Sequence, residues 1–392
     1  MSMTGAPTPL DSLNGTIWDA IVVGAGPAGS LAARLLALGG ARVLLVEKKR
    51  FPRSKVCGAC LNGQALAVLR SAGLGSLVTE LCGIELDEIQ LGFRGRTARL
   101  ALPEGAVLSR DRLDAALADA ATDAGARFLQ ETEAVVAGTR DGVRRVALVQ
   151  PVRTIEVEAR LVLVAAGFGR YRSERGADSR TEIARGSRIG AGCQVEDAPD
   201  SYGNHTIFMA VGRAGYVGVV RMEDGRLNVA AAFEPEFVRR LGTPGAAAAA
   251  VLAEAGLVPI AALERSQWQG TARLARRTRP LAEDRLFLLG DAAGYVAPFT
   301  GEGIAWALAS AQALAPLGLR AIERWDPRLS QAWSNLHWRL VGRRQLVCRA
   351  IALVLSRPGL THLGFEFCRR APGAAGMIVK RLNAPSFLTN VS

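Results

Sequence analysis

The chain is poor in histidine, with only His205, His337 and His362, and poor in lysine, with only Lys48, Lys49, Lys55 and Lys380. So few imidazoles leave no Ser-His-Asp constellation to assemble, which excludes hydrolase chemistry of that type. Six cysteines (Cys57, Cys60, Cys82, Cys193, Cys348 and Cys368) are spread thinly, without the spacing of a disulfide framework. A reduced, cytoplasmic protein is therefore expected. The single Cys57-Gly58-Ala59-Cys60 pair has no second pair, and a structural zinc site wants four ligands, so no metal is expected. Long apolar runs are also missing: Leu161 to Phe168 and Ala350 to Leu355 fall well short of the roughly 20 residues a membrane span needs. Residues 1–16 show neither a basic start nor a continuous apolar stretch, which argues against a secretory signal.

What is present is a chain of 392 residues, 49% apolar and 21% charged, enough to bury a large core in two or three domains. The net charge is +12 and almost all of it is arginine. Between Arg320 and Arg381, twelve basic residues face only Glu323, Asp326 and Glu366, and Trp325, Trp333 and Trp338 share that stretch. Two readings fit: the tryptophans pack onto the main body, which is the stronger expectation, or a basic amphipathic tail makes peripheral contact with a membrane. No nucleic-acid-binding module is visible, so no nucleic-acid partner is expected.

The informative pattern begins at Trp18. A short strand, Trp18 to Val23, runs into Gly24-Ala25-Gly26-Pro27-Ala28-Gly29 and then a helical stretch, Ser30 to Leu38. A second strand, Arg42 to Val46, ends in Glu47, completing a βαβ unit. Glycine at 24 permits a tight turn, Gly26 lets a pyrophosphate approach the backbone, and Gly29 lets the helix lie close to the sheet. The helix start offers amide donors to phosphate, and Glu47, with Lys48 beside it, is placed for the adenosine ribose. A carboxylate there repels a 2′-phosphate, so NADP is a poor ligand for this site.

A second constellation follows the strand Arg285 to Leu289. It reads Gly290-Asp291-Ala292-Ala293-Gly294, and a loop, Pro298 to Ile304, then opens a helix. Asp291 at a strand end suits a polyol hydroxyl. The bare amides of Gly301 and Gly303, next to Ile304, suit the negative edge of a flat acceptor ring at a helix start. A nicotinamide dehydrogenase has no use for this second cradle, and the expected cofactor is FAD.

These motifs, with Phe51-Pro52-Arg53-Ser54-Lys55-Val56-Cys57-Gly58 and the run Ser109 to Leu117, resemble FAD-dependent oxidoreductases of the geranylgeranyl reductase, flavin halogenase and aromatic hydroxylase superfamily. The resemblance covers Trp18 to about Leu317 and leans toward the geranylgeranyl reductase-like branch. It implies that Arg110 lies near the FAD, that Asp291 binds the ribityl chain, and that Val135 or Val136 contacts adenine through the backbone. It also implies that Ala165, Ala166 and Gly167 close over the cofactor. Beside a flavin, Cys57 and Cys60 read as ordinary loop cysteines, a redox dithiol, or a contribution beside the substrate.

Departures from the superfamily pattern bear on the reaction. The histidine usual in aromatic hydroxylases after Gly-Asp-Ala-Ala is Gly294 here, and no lysine between Lys55 and Lys380 can serve as a halogenase relay. The aromatic stretch of lipid-saturating reductases keeps only Tyr216, within Gly215 to Arg221. The expected architecture is α/β: a Rossmann-like FAD-binding domain of the glutathione reductase type, over 17–60, 98–170 and 280–318. Interleaved with it is a mixed-sheet substrate domain over 61–97 and 171–279, followed by a helical basic extension over 319–392. The expected function is an oxidoreductase reduced transiently by NAD(P)H, since no second dinucleotide fingerprint exists, or by a carrier protein. Hydroxylation of an apolar aromatic or polyketide-like substrate is preferred, with reduction of a carbon–carbon double bond in a hydrophobic substrate as the alternative, and halogenation or a non-catalytic flavoprotein ranked behind both. Tyr216, Arg221 and Phe299 are the candidate substrate-side residues.

Overall fold

The computed structural model describes residues 10–13, 15–169, 172–173, 180–296, 299 and 301–383. Strand Ile17–Val23 is buried almost end to end, as a strand covered on both faces must be. It pairs in parallel with Val43–Val46 on one side and Thr154–Val164 on the other. Arg127–Leu129 and Leu286–Leu288 extend the parallel sheet at its two sides. The first half of the long strand Thr154–Val164 pairs antiparallel with Val143–Val149, and that strand with Glu133–Arg140. This meander folds over one face of the sheet, where Val136, Val146 and Leu148 share a core with Ile21 and Leu44. On the opposite face lie the helices Pro27–Leu38, Arg110–Asp123 and Gly303–Glu323.

The second sheet has seven strands in the order Gln269–Arg273, Ile189–Val195, Leu227–Phe233, Gly215–Arg221, Thr206–Gly212, Glu88–Phe93 and Arg96–Ala101. All neighbours are antiparallel except Thr206–Gly212 with Glu88–Phe93. Side chains alternate across a strand, so one face presents Val217, Val219 and Phe208 to a core completed by the helix Pro244–Ala255. That alanine-rich stretch is helical because Thr243 caps it, its hydroxyl accepting from the Ala246 N–H at 3.1 Å, and Gly256 ends it at a φ of +76°. The other face turns Ile89, Leu91, Met209, Val211 and Tyr216 toward a cavity.

Packing redraws the expected domain boundaries. Arg96–Ala101 pairs residue for residue with Glu88–Phe93, so a boundary at 98 cuts a hairpin, and the second sheet runs through Ala101. The helix Gly63–Ser71, expected with the substrate domain, buries Ala65, Val68 and Leu69 in the core of the first sheet's helices. The C-terminal segment is not a free appendage. Trp333 is fully buried and its indole N–H donates to the Leu288 carbonyl at 2.9 Å, while Trp325 lies 5.7 Å from the Phe287 ring. Packing therefore accounts for these two tryptophans, whereas Trp338 remains exposed. Further along, Phe365 and Ala375 close the cavity side of the second sheet. Among the described residues no single helix is long and apolar enough to cross a membrane.

Candidate active site

Gly24 has a φ of +100°, and a Cβ there would stand 2.6 Å from the Ala165 carbonyl oxygen. At Gly29 a Cβ would fall 1.8 Å from the Gly24 carbonyl oxygen, so the helix approaches the turn closer than any side chain permits. Both glycines serve the protein's own packing. Gly26 does not: its backbone is extended, and an added Cβ would meet nothing nearer than guanidinium nitrogens of Arg53 at 3.8 Å and Arg110 at 3.9 Å. A bare backbone facing open, cation-lined space at a helix start is a place for an anion to approach. The Nε of Arg53, buried without a partner, adds to that donor set.

The cations are fixed by buried acids. Arg110, at the start of its helix, grips Asp114 through two bonds of 2.8 and 2.7 Å, and Arg53 shares the same carboxylate at 3.3 Å. Burial opposes the charge on Arg110, but Asp114 and Cys57 together outweigh it, push its pKa up and keep the guanidinium protonated. Glu47 is buried at the end of its strand and accepts from the backbone N–H groups of Ala25 at 3.1 Å and Lys49 at 3.0 Å. The two motifs that sequence keeps far apart meet here: a Cβ on Gly290 would come within 2.9 Å of the Ala28 methyl. Gly290, Ala28 and Gly29 thus shape the cradle without lining it. Gly24, Gly26, Pro27, Glu47, Lys48, Arg110, Ala166, Gly167, Asp291, Gly301, Gly303 and Ile304 do line it.

Three expected residues lie elsewhere. Val136 is buried in the meander core and Val135 pairs inside the sheet with Ala147, so the cavity edge falls to Thr132, Glu133 and Ala134 just before them. Arg221 faces away from the cavity. Its guanidinium donates to the carbonyls of Tyr202 and Gly225 at 2.8 Å each and Pro199 at 3.0 Å, which ties two turns together.

Lys55, absent from the expected site, stands in the cradle with its ammonium 3.8 Å from Asp291. Burial lowers its pKa, with Asp291 acting in the opposite direction. Beyond Asp291 the cavity, about 870 Å³ in all, continues between the second sheet and the C-terminal helices. Tyr216 and Phe299 do reach it, their rings edge to face at 5.2 Å, and Arg188 lies 5.5 Å over the Tyr216 ring. Tyr295 also lines the cavity, packed edge to face on Phe168 at 4.8 Å. Burial pushes both tyrosine hydroxyls up, so each keeps its proton at neutral pH. The remaining walls are apolar: Ile89, Leu91, Phe93, Met209, Val211 and Leu355 among them. Alternation of Ile89, Leu91 and Phe93, and of Met209 and Val211, along their strands was the signal in the sequence that could have found the sheet side of this wall.

Cys57 and Cys60 both line the cavity. The Cys60 thiol donates to the Gly58 carbonyl at 3.1 Å, and burial pushes it up, away from the thiolate a redox dithiol requires. Among the described residues no cluster of side chains could hold a metal ion.

The cradle fits a flavin dinucleotide: an anion-accepting helix start, a buried carboxylate at the next strand end, Asp291 at the centre and bare glycine amides at a second helix. Comparison with known proteins agrees. The menaquinone reductase of Mycobacterium tuberculosis is 28% identical over 371 residues, covering 87% of this chain and 84% of that protein. The digeranylgeranylglycerophospholipid reductase of Thermoplasma volcanium is 27% identical over 323 residues, covering 79% and 80%. Two solved structures share the fold. A geranylgeranyl bacteriochlorophyll reductase-like protein from Thermoplasma acidophilum has a TM-score of 0.72 at 22% identity, covering 95% of this chain and 93% of its own. The p-nitrophenol 4-monooxygenase of Pseudomonas putida has a TM-score of 0.76 at 16% identity, covering 95% of this chain and 99% of its own. Residues 18–317, from the first strand to the helix that opens at Gly303, match the FAD binding domain family; the chain belongs to that family and is an FAD-dependent oxidoreductase.

Proposed function

We propose that the protein saturates a carbon–carbon double bond in a long apolar, polyprenyl-like substrate. The observation that carries this reading is the cavity, which continues past the cofactor cradle as an apolar slot walled by Ile89, Leu91, Phe93, Met209, Val211, Leu355 and Phe365. A slot of that kind accepts an extended chain by burial alone, at about 0.8 kcal/mol for each methylene withdrawn from water. Two relatives found by sequence, the menaquinone reductase and the digeranylgeranylglycerophospholipid reductase, are reductases of lipid-like molecules by name. Likeness to the monooxygenase, at 16% identity, is a likeness of fold alone.

FAD held in the cradle, once reduced by NAD(P)H or a carrier, would supply the hydride for the double bond, while a proton completes the other carbon. The chain's own residues bind, orient and keep water out. Gly218, Ala230 and Ala232 leave the middle of the wall bare, so that the substrate can lie against the sheet. Tyr216 and Tyr295 hold protonated hydroxyls in the cavity and are candidates to donate that proton. Photoreduced protein mixed without oxygen with a polyprenylated quinone tests the reading: the flavin reoxidises, and once the quinol ring has been reoxidised in air the side chain still carries two extra hydrogens. Absence of reoxidation by any unsaturated chain, together with an oxygenated product in air, would favour hydroxylation instead.

A further inference from the structure

Among the described residues fifteen large apolar side chains are exposed, and nine of them fall between Trp338 and Ile378. So dense an exposed set is unusual for a surface that faces water alone. On the helix Pro358–Arg370, Leu360, Leu363 and Phe367 recur at i, i+3 and i+7, the spacing of a single face, while Thr361 and Phe365 on the far side are buried. Leu346 and Leu353 repeat the pattern on Arg343–Leu355, and Met377 stands 68% exposed on Pro372–Asn383. The three helices pack in succession.

Charge on these helices has one sign. Arg349, Arg357, Lys380 and Arg381 are exposed, and the sole acid from Arg343 to Arg381 is Glu366. Glu366 is already engaged by Arg96 at 3.1 Å, Arg369 at 2.8 Å and Arg370 at 3.1 Å. A second copy of this face would set arginine against arginine with no free carboxylate to pair. An anionic lipid surface offers both complements at once, acyl chains for the leucines and phosphates for the guanidiniums. Finally, Phe367 and Ile378 are exposed yet also line the cavity, so the apolar slot ends where this face begins.

We propose that the C-terminal helices form a docking face for an anionic bilayer, lying in its plane, and that the cavity opens onto that surface to take its substrate from it. The docking half stands on the surface itself; the feeding half rests on the proposed reduction of an apolar chain.

The test is flotation of the full-length, FAD-loaded protein with vesicles of phosphatidylcholine alone or mixed with phosphatidylglycerol. The protein floats with the anionic vesicles and stays behind with the neutral ones. The double variant Leu363→Glu, Met377→Glu, which touches neither cradle nor cavity wall, weakens binding by about tenfold or more. Its flavin absorbance and melting temperature stay unchanged. Wild-type protein that never floats, or a double variant that floats equally well, overturns the proposal. So does sedimentation showing that the double variant turns a stable dimer into a monomer. Failure here alongside intact anaerobic side-chain saturation of a detergent-dispersed polyprenyl quinone would remove the docking face and leave the catalytic reading standing; flotation without that saturation would do the reverse.

Discussion

Two glycines three residues apart make opposite predictions. At Gly26 the backbone is extended (φ of −78°), and a methyl group meets no protein atom within 3.7 Å, so Gly26→Ala carries neither strain nor collision in the protein alone. Its melting temperature without cofactor should match wild type, with a stability change inside roughly 0.5 kcal/mol. The methyl does, however, occupy the space through which a phosphate reaches the helix start. Losing a charge-assisted backbone contact of that kind costs about 1.5–3 kcal/mol, or roughly a ten- to hundredfold weaker FAD affinity. At Gly29 the methyl falls 1.8 Å from the Gly24 carbonyl oxygen, a backbone atom that cannot swing aside. Gly29→Ala should therefore destabilise the apoprotein itself by about 1–3 kcal/mol or more. Titration of flavin fluorescence into apoprotein, paired with thermal melting of the same samples, reads both effects. A Gly26→Ala protein that binds FAD as tightly as wild type would refute the assignment of the helix start to the pyrophosphate. A Gly29→Ala protein with wild-type melting would refute the packing argument.

Other expectations follow from the same geometry. Arg221→Met removes three hydrogen bonds to backbone carbonyls and should lower stability by about 1–3 kcal/mol in denaturant titration while KM stays unchanged; a shift in KM with stability intact would return Arg221 to the substrate. His337 is buried against Trp333, and burial lowers its pKa to about 4, so the folded state refuses a proton that the unfolded chain accepts. Its contribution is fully present above pH 6.5 and is lost as pH falls toward about 4, by roughly 3 kcal/mol in total; His337→Phe should flatten the stability–pH curve over that window. Gly218→Leu projects into the slot, where a Cβ already lies 3.3 Å from the flexible end of Met209. It should raise KM for long substrates well above that for short ones, and an equal effect on both would argue against a chain lying along the sheet.

The cradle was legible because each of its parts is local. Gly24-Ala25-Gly26-Pro27-Ala28-Gly29 between two strands, with Glu47 at the end of the second, is a chemistry written within one βαβ unit. Asp291 was legible for the same reason, at a strand end followed by small residues. Lys55 was not, because its importance comes from Asp291, far away in the chain, and nothing near Lys55 signals that meeting. Arg221 misled: a lone arginine at the end of a sheet strand reads as a site residue until its partners, Tyr202 and Pro199, are seen to be carbonyls of a distant turn. Val135 and Val136 were placed too far along their strand, since contact through the backbone leaves no side-chain pattern to count. The substrate slot is a joint product of alternate residues on the second sheet and the inner faces of helices after Arg343, surfaces that become one wall only on packing. Tryptophans at 325 and 333 do pack inward, while the exposed leucines of the same segment belong to a face the sequence shows only as amphipathic.

Mixing the photoreduced protein with a polyprenylated quinone under strict anaerobiosis, and weighing the recovered quinone, tests the central claim most directly. Flavin reoxidation should saturate with quinone concentration, and the product, after its ring is reoxidised, should keep two extra hydrogens in its side chain. Flavin that stays reduced until air is admitted, with oxygen then found in the organic product, would contradict it.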